Sequence, residues 1–169
     1  MDMRQKSGAG VGQKVSALRT ILAAGIIAGG LDSAAASVVF YFKLGLSPAQ
    51  VMQYIASALY GAEAFSGGTG MVIIGTLLHF IIAFIIAAGY FYLYPVLNPL
   101  KKWPVISGLL LGIAIWLFMN LVVIPFSKIQ PAPFEISAVI ISLGWHMLLV
   151  GLPISLITKR HFESSRRFS

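Results

Sequence analysis

The chain is predicted to be an all-α membrane protein, with four transmembrane helices and an amphipathic outer-side helix between spans one and two. Three observations predict this. The 169 residues are 58% hydrophobic and only 10% charged, with mean hydropathy +0.89. So few charges cannot clothe a soluble domain of this size, whereas lipid solvates an apolar surface whose backbone is helical. Four apolar runs, at 18–42, 71–97, 104–126 and 136–157, are each long enough to cross a hydrocarbon layer about 30 Å thick. The basic residues also sort between the gaps. With the N-terminus inside, Arg4, Lys6, Lys14, Arg19, Lys101, Lys102, Lys159, Arg160, Arg166 and Arg167 are internal, and only Lys43 and Lys128 are external. That is the positive-inside pattern, with both termini cytoplasmic.

Residues 1–16 are polar and basic and read as a cytoplasmic tail. The membrane domain is expected over 17–158, followed by a basic cytoplasmic tail at 159–169. Lys14 and Arg19 before the first apolar run, with Ala34-Ala35-Ala36 after it, have the layout of a secretory leader. Asp32 interrupts that run and Ser37–Phe42 prolongs it, so it is read as a span. Gly25, Gly29, Ser33 and Ser37 form one stripe at i, i+4 spacing, flanked by Ala24, Ala28, Asp32 and Ala36. Small residues so spaced let helices approach closely in lipid.

Ser47-Pro48-Ala49-Gln50 is a helix start, with N-cap serine, proline in the first turn and glutamine completing a capping box. The amphipathic helix is expected at 47–66, with Val51, Tyr54, Ile55, Ala58, Leu59 and Ala62 on its apolar face. Gln53, Ser57, Tyr60 and Glu63 fall on its polar face, and Gly67-Gly68 would end it. Span two ends in Tyr90, Phe91, Tyr92 and Tyr94, placed as an interfacial aromatic belt. Span three starts at Pro104 and carries Gly108, Gly112, Trp116 and Asn120 on one stripe. The loop at 127–135 is short and proline-rich. Span four holds Ser142, Gly144, His146, Gly151 and Pro153, the proline predicting a kink.

Each span carries one strongly polar side chain. From the helical rise, Asp32 lies about 3 Å outward of its run's centre, His146 within about 2 Å, His79 about 6 Å outward and Asn120 about 7 Å outward. A carboxylate at such depth is costly and marks ion paths, proton relays and ligand sites by default. Asp32, His79, Asn120 and His146 are therefore the candidate substrate- or ion-binding residues. Glu63 is a weaker candidate for the entrance of a path. Hydrogen bonds that merely hold the helices in register are the competing explanation, strongest for Asn120.

No catalytic residue and no cofactor is expected. There is no cysteine, no serine in a G-x-S-x-G elbow, and no phosphate-binding or dinucleotide fingerprint. A haem held by His79 and His146, or a metal on Asp32 and the two imidazoles, are the rival uses of the same residues. Net charge +7 reflects span ends, where topology and anionic headgroups account for it, so nucleic acid is not an expected partner. The expected partners are the bilayer and further copies of the chain, joined through the small-residue stripes.

Gly75 with His79, Gly89-Tyr90, Gly108/Gly112, Pro125 and Gly144-Trp145-His146 together resemble the YagU-like family of small bacterial inner-membrane proteins, best over residues 75–160. The resemblance implies a four-helix protein of the bacterial cytoplasmic membrane and draws attention to His79 and His146. It implies no reaction. The expected function is a small oligomeric transport or channel-type protein, with a non-catalytic membrane scaffold or accessory subunit as the alternative.

Overall fold

The first proline of the chain is Pro48, and nothing before it forces a helix to stop. In the computed structural model, which describes the backbone of residues 3–130 and 135–167 and the side chains of 17–130 and 135–164, α1 accordingly runs from Met3 to Leu44. The basic N-terminal segment is thus helical backbone continuous with span one. Gly45 ends the helix at φ +68°, a left-handed conformation that glycine adopts without a Cβ clash.

Helix α2, Pro48–Tyr60, starts as expected. The Ser47 side chain accepts from Gln50 N–H while the Gln50 side chain accepts from Ser47 N–H. Its end and its faces differ from expectation. Gly61, at φ +61°, stops α2, and a 3-10 turn, Gly61–Phe65, follows. The buried face is Val51, Met52, Gln53, Ala56 and Ser57, whereas Leu59 is exposed. The cause lies in α3, Gly68–Leu93: Gly75 has no side chain, and the Met52 backbone sits where its Cβ would be. The contact turns Gln53 and Ser57 inward, where they bond to the Gly68 and Tyr54 carbonyls. Tyr54 meets Phe40 of α1 edge-on at 6.0 Å, and burial pushes its phenol up, keeping it neutral.

A short α4, Asn98–Lys102, leads into α5, Pro104–Phe118, which continues through a π turn, Met119–Val123. Residues 131–134, including Pro131 and Pro133 of the proline-rich loop, lie outside the described residues. Helix α6, Ile136–Trp145, passes through a second π turn, His146–Gly151, into α7, Leu152–Arg167. Each π turn ends two residues before a proline, Pro125 or Pro153. A proline ring clashes with the carbonyl four residues back, and a widened turn relieves that crowding. The expected kink at Pro153 takes this form. The second tail is also helix: Phe162 stacks on Tyr94 at 5.1 Å and 21°, and His161 bonds Thr20 Oγ1 at 2.8 Å.

Among the described residues four helices are long and apolar enough to cross a membrane: Ala17–Leu44, Gly68–Leu93, Pro104–Val123 and Ile136–Ser164. The chain is an all-α, polytopic membrane protein. Span one lies against spans two and four and span three packs on span four, while the inner end of span two also reaches spans four and three. The small-residue stripes make these seams within the chain. Ala24 and Ala28 are buried, and Gly29 faces Phe80 and Ala83 of span two. Gly112 lies against the His146 and Met147 backbone, and Gly151 against that of Gly108 and Gly112.

The expected aromatic belt turns inward. Tyr90, Phe91 and Tyr94 are core residues, and only Tyr92 faces out. The Tyr90 hydroxyl explains its own burial. It bonds Ser155 Oγ at 2.7 Å and Ser107 Oγ at 2.8 Å, and both serines reach the Pro104 carbonyl, at 2.6 and 3.1 Å. In this ring of four oxygens each of the three hydroxyl protons has an acceptor, and one of the two Tyr90–serine edges carries no proton. At the opposite end Lys43 bonds Glu135 at 2.9 Å and Ser137 at 2.6 Å, tying α1 to α6.

Candidate functional site

Span one lies between spans two and four, so Asp32 faces an imidazole on each side. His79 Nδ1 stands 4.0 Å from Asp32 Oδ2, and His146 Nε2 stands 3.8 Å from Oδ1. Gly29, one turn before Asp32, lets span two approach closely, its missing side chain leaving room for Phe80 and Ala83 beside His79. His79 Nε2 lies 2.8 Å from the Gly29 carbonyl oxygen. His146 is held by its own helix, with Nδ1 2.7 Å from the Ser142 carbonyl oxygen.

These contacts assign the tautomers. A carbonyl oxygen only accepts, so His79 Nε2 and His146 Nδ1 each carry a proton. In neutral imidazoles the other nitrogens, the ones facing Asp32, are then bare acceptors. Trp145 Nε1 donates to Asp32 Oδ1 at 2.8 Å, and its ring lies nearly parallel to His146 at 5.5 Å. In that state the layer sets two carboxylate oxygens and two imidazole lone pairs against one donor among the described residues, Trp145. Both nitrogen–oxygen gaps exceed the ~3.2 Å limit of a good hydrogen bond. One added proton, on the carboxylate or on either ring, turns a pair of opposed acceptors into a charge-assisted donor–acceptor pair.

The side chains of Asp32, His79 and His146 remain 21%, 12% and 14% exposed, so the layer is shielded without being sealed. The space within it suits a proton: the facing atoms are 3.8 and 4.0 Å apart. The cavity of about 320 Å³ between α1 and α7 and the one of about 110 Å³ beside α2 are lined by other residues.

Two candidates fall outside this cluster. Asn120 donates to the Trp116 carbonyl at 2.9 Å within its own helix. It lies on span three, which packs on span four. The Trp116 whose carbonyl it meets donates its Nε1 to Ser142 Oγ at 2.8 Å. Glu63 lies exposed on the 3-10 turn, where its backbone carbonyl accepts from Ser66. Conversely, Trp145 and Ser142 belong to the layer and carried no role from sequence alone. Their signals were present: Ser142 is one turn before His146, and Trp145 is its neighbour.

A haem between the imidazoles does not fit. The two ring nitrogens free to ligate iron both point at Asp32, whose carboxylate stands where the macrocycle would lie. Among the described residues no group of three His, Asp or Glu side chains is arranged to hold a metal ion. Comparison of the chain with protein-family models, curated proteins and solved structures finds no match.

Proposed function

We propose that this chain is a small membrane transport protein whose working site is the Asp32–His79–His146 layer, and that the species bound there is a proton. The observation that carries this reading is the orientation of the imidazoles. Each commits its N–H to a backbone carbonyl, Gly29 or Ser142, and turns its lone pair to the same carboxylate. A layer built only for packing would place donors against acceptors. This one places acceptors against acceptors and is completed by protonation. Intramembrane carboxylate–histidine groupings serve proton relays for the same reason. In this reading the basic end faces the cytoplasm of a bacterial cell and the Lys43–Glu135 end faces outward, following the positive-inside rule.

Proton flux in liposomes with an imposed potential tests the proposal. Wild-type protein is expected to acidify or alkalise the lumen, and Asp32→Asn to reduce the rate to that of empty liposomes. His79→Gln and His146→Gln are expected to fall in between, because one acceptor pair survives in each. Wild-type rates in Asp32→Asn would refute the assignment. No flux from wild-type protein, with unaltered stability when all three residues are made apolar, would favour a scaffold.

A further inference from the structure

At the basic end, spans one and four leave an open cavity of about 320 Å³, lined by Arg19, Thr20 and Ala23 of α1 and by Ile157, Arg160 and His161 of α7. Ser164 completes its rim. Among the described residues neither Arg19 nor Arg160 has a carboxylate partner; the nearby Glu163 pairs with Lys159 at 3.5 Å. Two guanidinium groups without a counter-ion thus share one concavity, beside the Thr20–His161 hydrogen bond. Arg19 lies two residues inside the start of its span and Arg160 four residues before the end of its own, which puts both charges at headgroup level. One turn deeper the lining is apolar, Ala23 and Ile157.

We infer that this cavity binds the phosphate of an anionic glycerophospholipid, with the guanidinium groups on the phosphate oxygens and an acyl chain along Ala23 and Ile157. Arginine is the side chain suited to this, because its fixed fork of donors matches phosphate oxygens two at a time. Free inorganic phosphate offers the same oxygens. The apolar floor below the charges, aimed into the hydrocarbon, favours the lipid. A loosely held polybasic surface would draw anionic lipid as well, but without regard to which basic residues supply the charge. The site is separate from the Asp32 layer, and its ligand is independent of whether that layer carries protons.

The test uses the full chain, stripped of lipid in a neutral detergent and titrated with phosphatidylglycerol or phosphatidylcholine, with bound lipid counted by native mass spectrometry. One phosphatidylglycerol is expected to be retained in preference to phosphatidylcholine. Its affinity is expected to fall about tenfold or more in Arg19→Gln/Arg160→Gln, the order expected for two headgroup-level charges, and to hold in Lys101→Gln/Lys102→Gln. Equal losses in the two variants would mean diffuse attraction and overturn the site, as would wild-type retention in the arginine variant. Displacement of the lipid by millimolar inorganic phosphate would assign the cavity to free phosphate and overturn the lipid. Should the double arginine variant fail to fold, Ala23→Leu fills the apolar floor while keeping both charges. It is expected to weaken phosphatidylglycerol, and wild-type affinity there would overturn the acyl-chain placement.

Discussion

Two polar clusters lie in this membrane domain, and they differ in how their protons are distributed. The Tyr90–Ser107–Ser155 ring is sealed, with Tyr90 4% and Ser155 0% exposed, and its contacts run from 2.6 to 3.1 Å. Nothing need be added to satisfy it. The Asp32 layer is partly open, and its two histidine–carboxylate gaps of 3.8 and 4.0 Å are too long for hydrogen bonds. A satisfied buried network makes the fold unique and rigid. An unsatisfied one at membrane depth persists where something else completes it. The contrast separates a polar group that holds helices together from one that is held ready.

The largest effect that would break this contrast is on transport. Asp32→Asn is expected to abolish proton flux while changing thermal stability little, since the amide keeps an acceptor for Trp145. Tyr90→Phe is the opposite case. It removes the hydroxyl that bridges the two buried serines, each of which keeps its bond to the Pro104 carbonyl, at a cost of about 0.5–1.5 kcal/mol, and is expected to leave flux per folded molecule unchanged. If Tyr90→Phe and Asp32→Asn impaired flux and stability in the same proportion, the two clusters would not differ in kind.

Smaller effects sharpen the comparison. Trp145→Phe removes the indole donor to the carboxylate and is expected to slow flux several-fold, at a stability cost of about 1 kcal/mol, both measurable on one preparation. Asn120→Leu is expected to leave flux intact and to change stability little, because its hydrogen bond runs within its own helix to the Trp116 carbonyl. Flux lost in this variant would place span three in the path. The smallest effect concerns a polar contact outside both clusters. Ser137 and Lys43 hold the exposed Glu135 carboxyl below the usual carboxylate range. A lowered value means the stabilisation is present above the ordinary carboxylate pKa and is lost as pH falls through the lowered one. A carboxyl-carbon NMR titration is expected to find Glu135 still ionised where free glutamate is half protonated. Solvent screening keeps its effect on folding small.

The spans were legible because lipid imposes length and hydropathy on each segment alone. Asp32, His79 and His146 were legible for a related reason, each being the costliest group in its own span. What a single segment does not encode is which neighbour it meets. Depth along the helix placed Asn120 in the same layer, but its span packs on span four and its side chain bonds its own helix. The buried face of α2 failed likewise. Its periodicity favoured Leu59 and Ala62 over Gln53 and Ser57, and Gly75 of another helix decided otherwise. Tyr90, Phe91 and Tyr94 read as a lipid-facing belt until Ser107 and Ser155 supplied partners inside. Trp145 was named only in the Gly144-Trp145-His146 motif, and its bond to Asp32 depends on span one, which that motif does not encode.

The widened turn at His146–Gly151 lies between these two clusters on span four. It takes up one residue more than an α-helical turn, so the extra residue adds no net rotation and the flanks keep their phase. Deleting any one of Met147 to Val150 would restore regular winding with His146, Trp145 and Ser155 still on their present sides. Span four can thus lose a residue at this point and keep both clusters, whereas a loss from regular helix would rotate everything beyond it by about 100°.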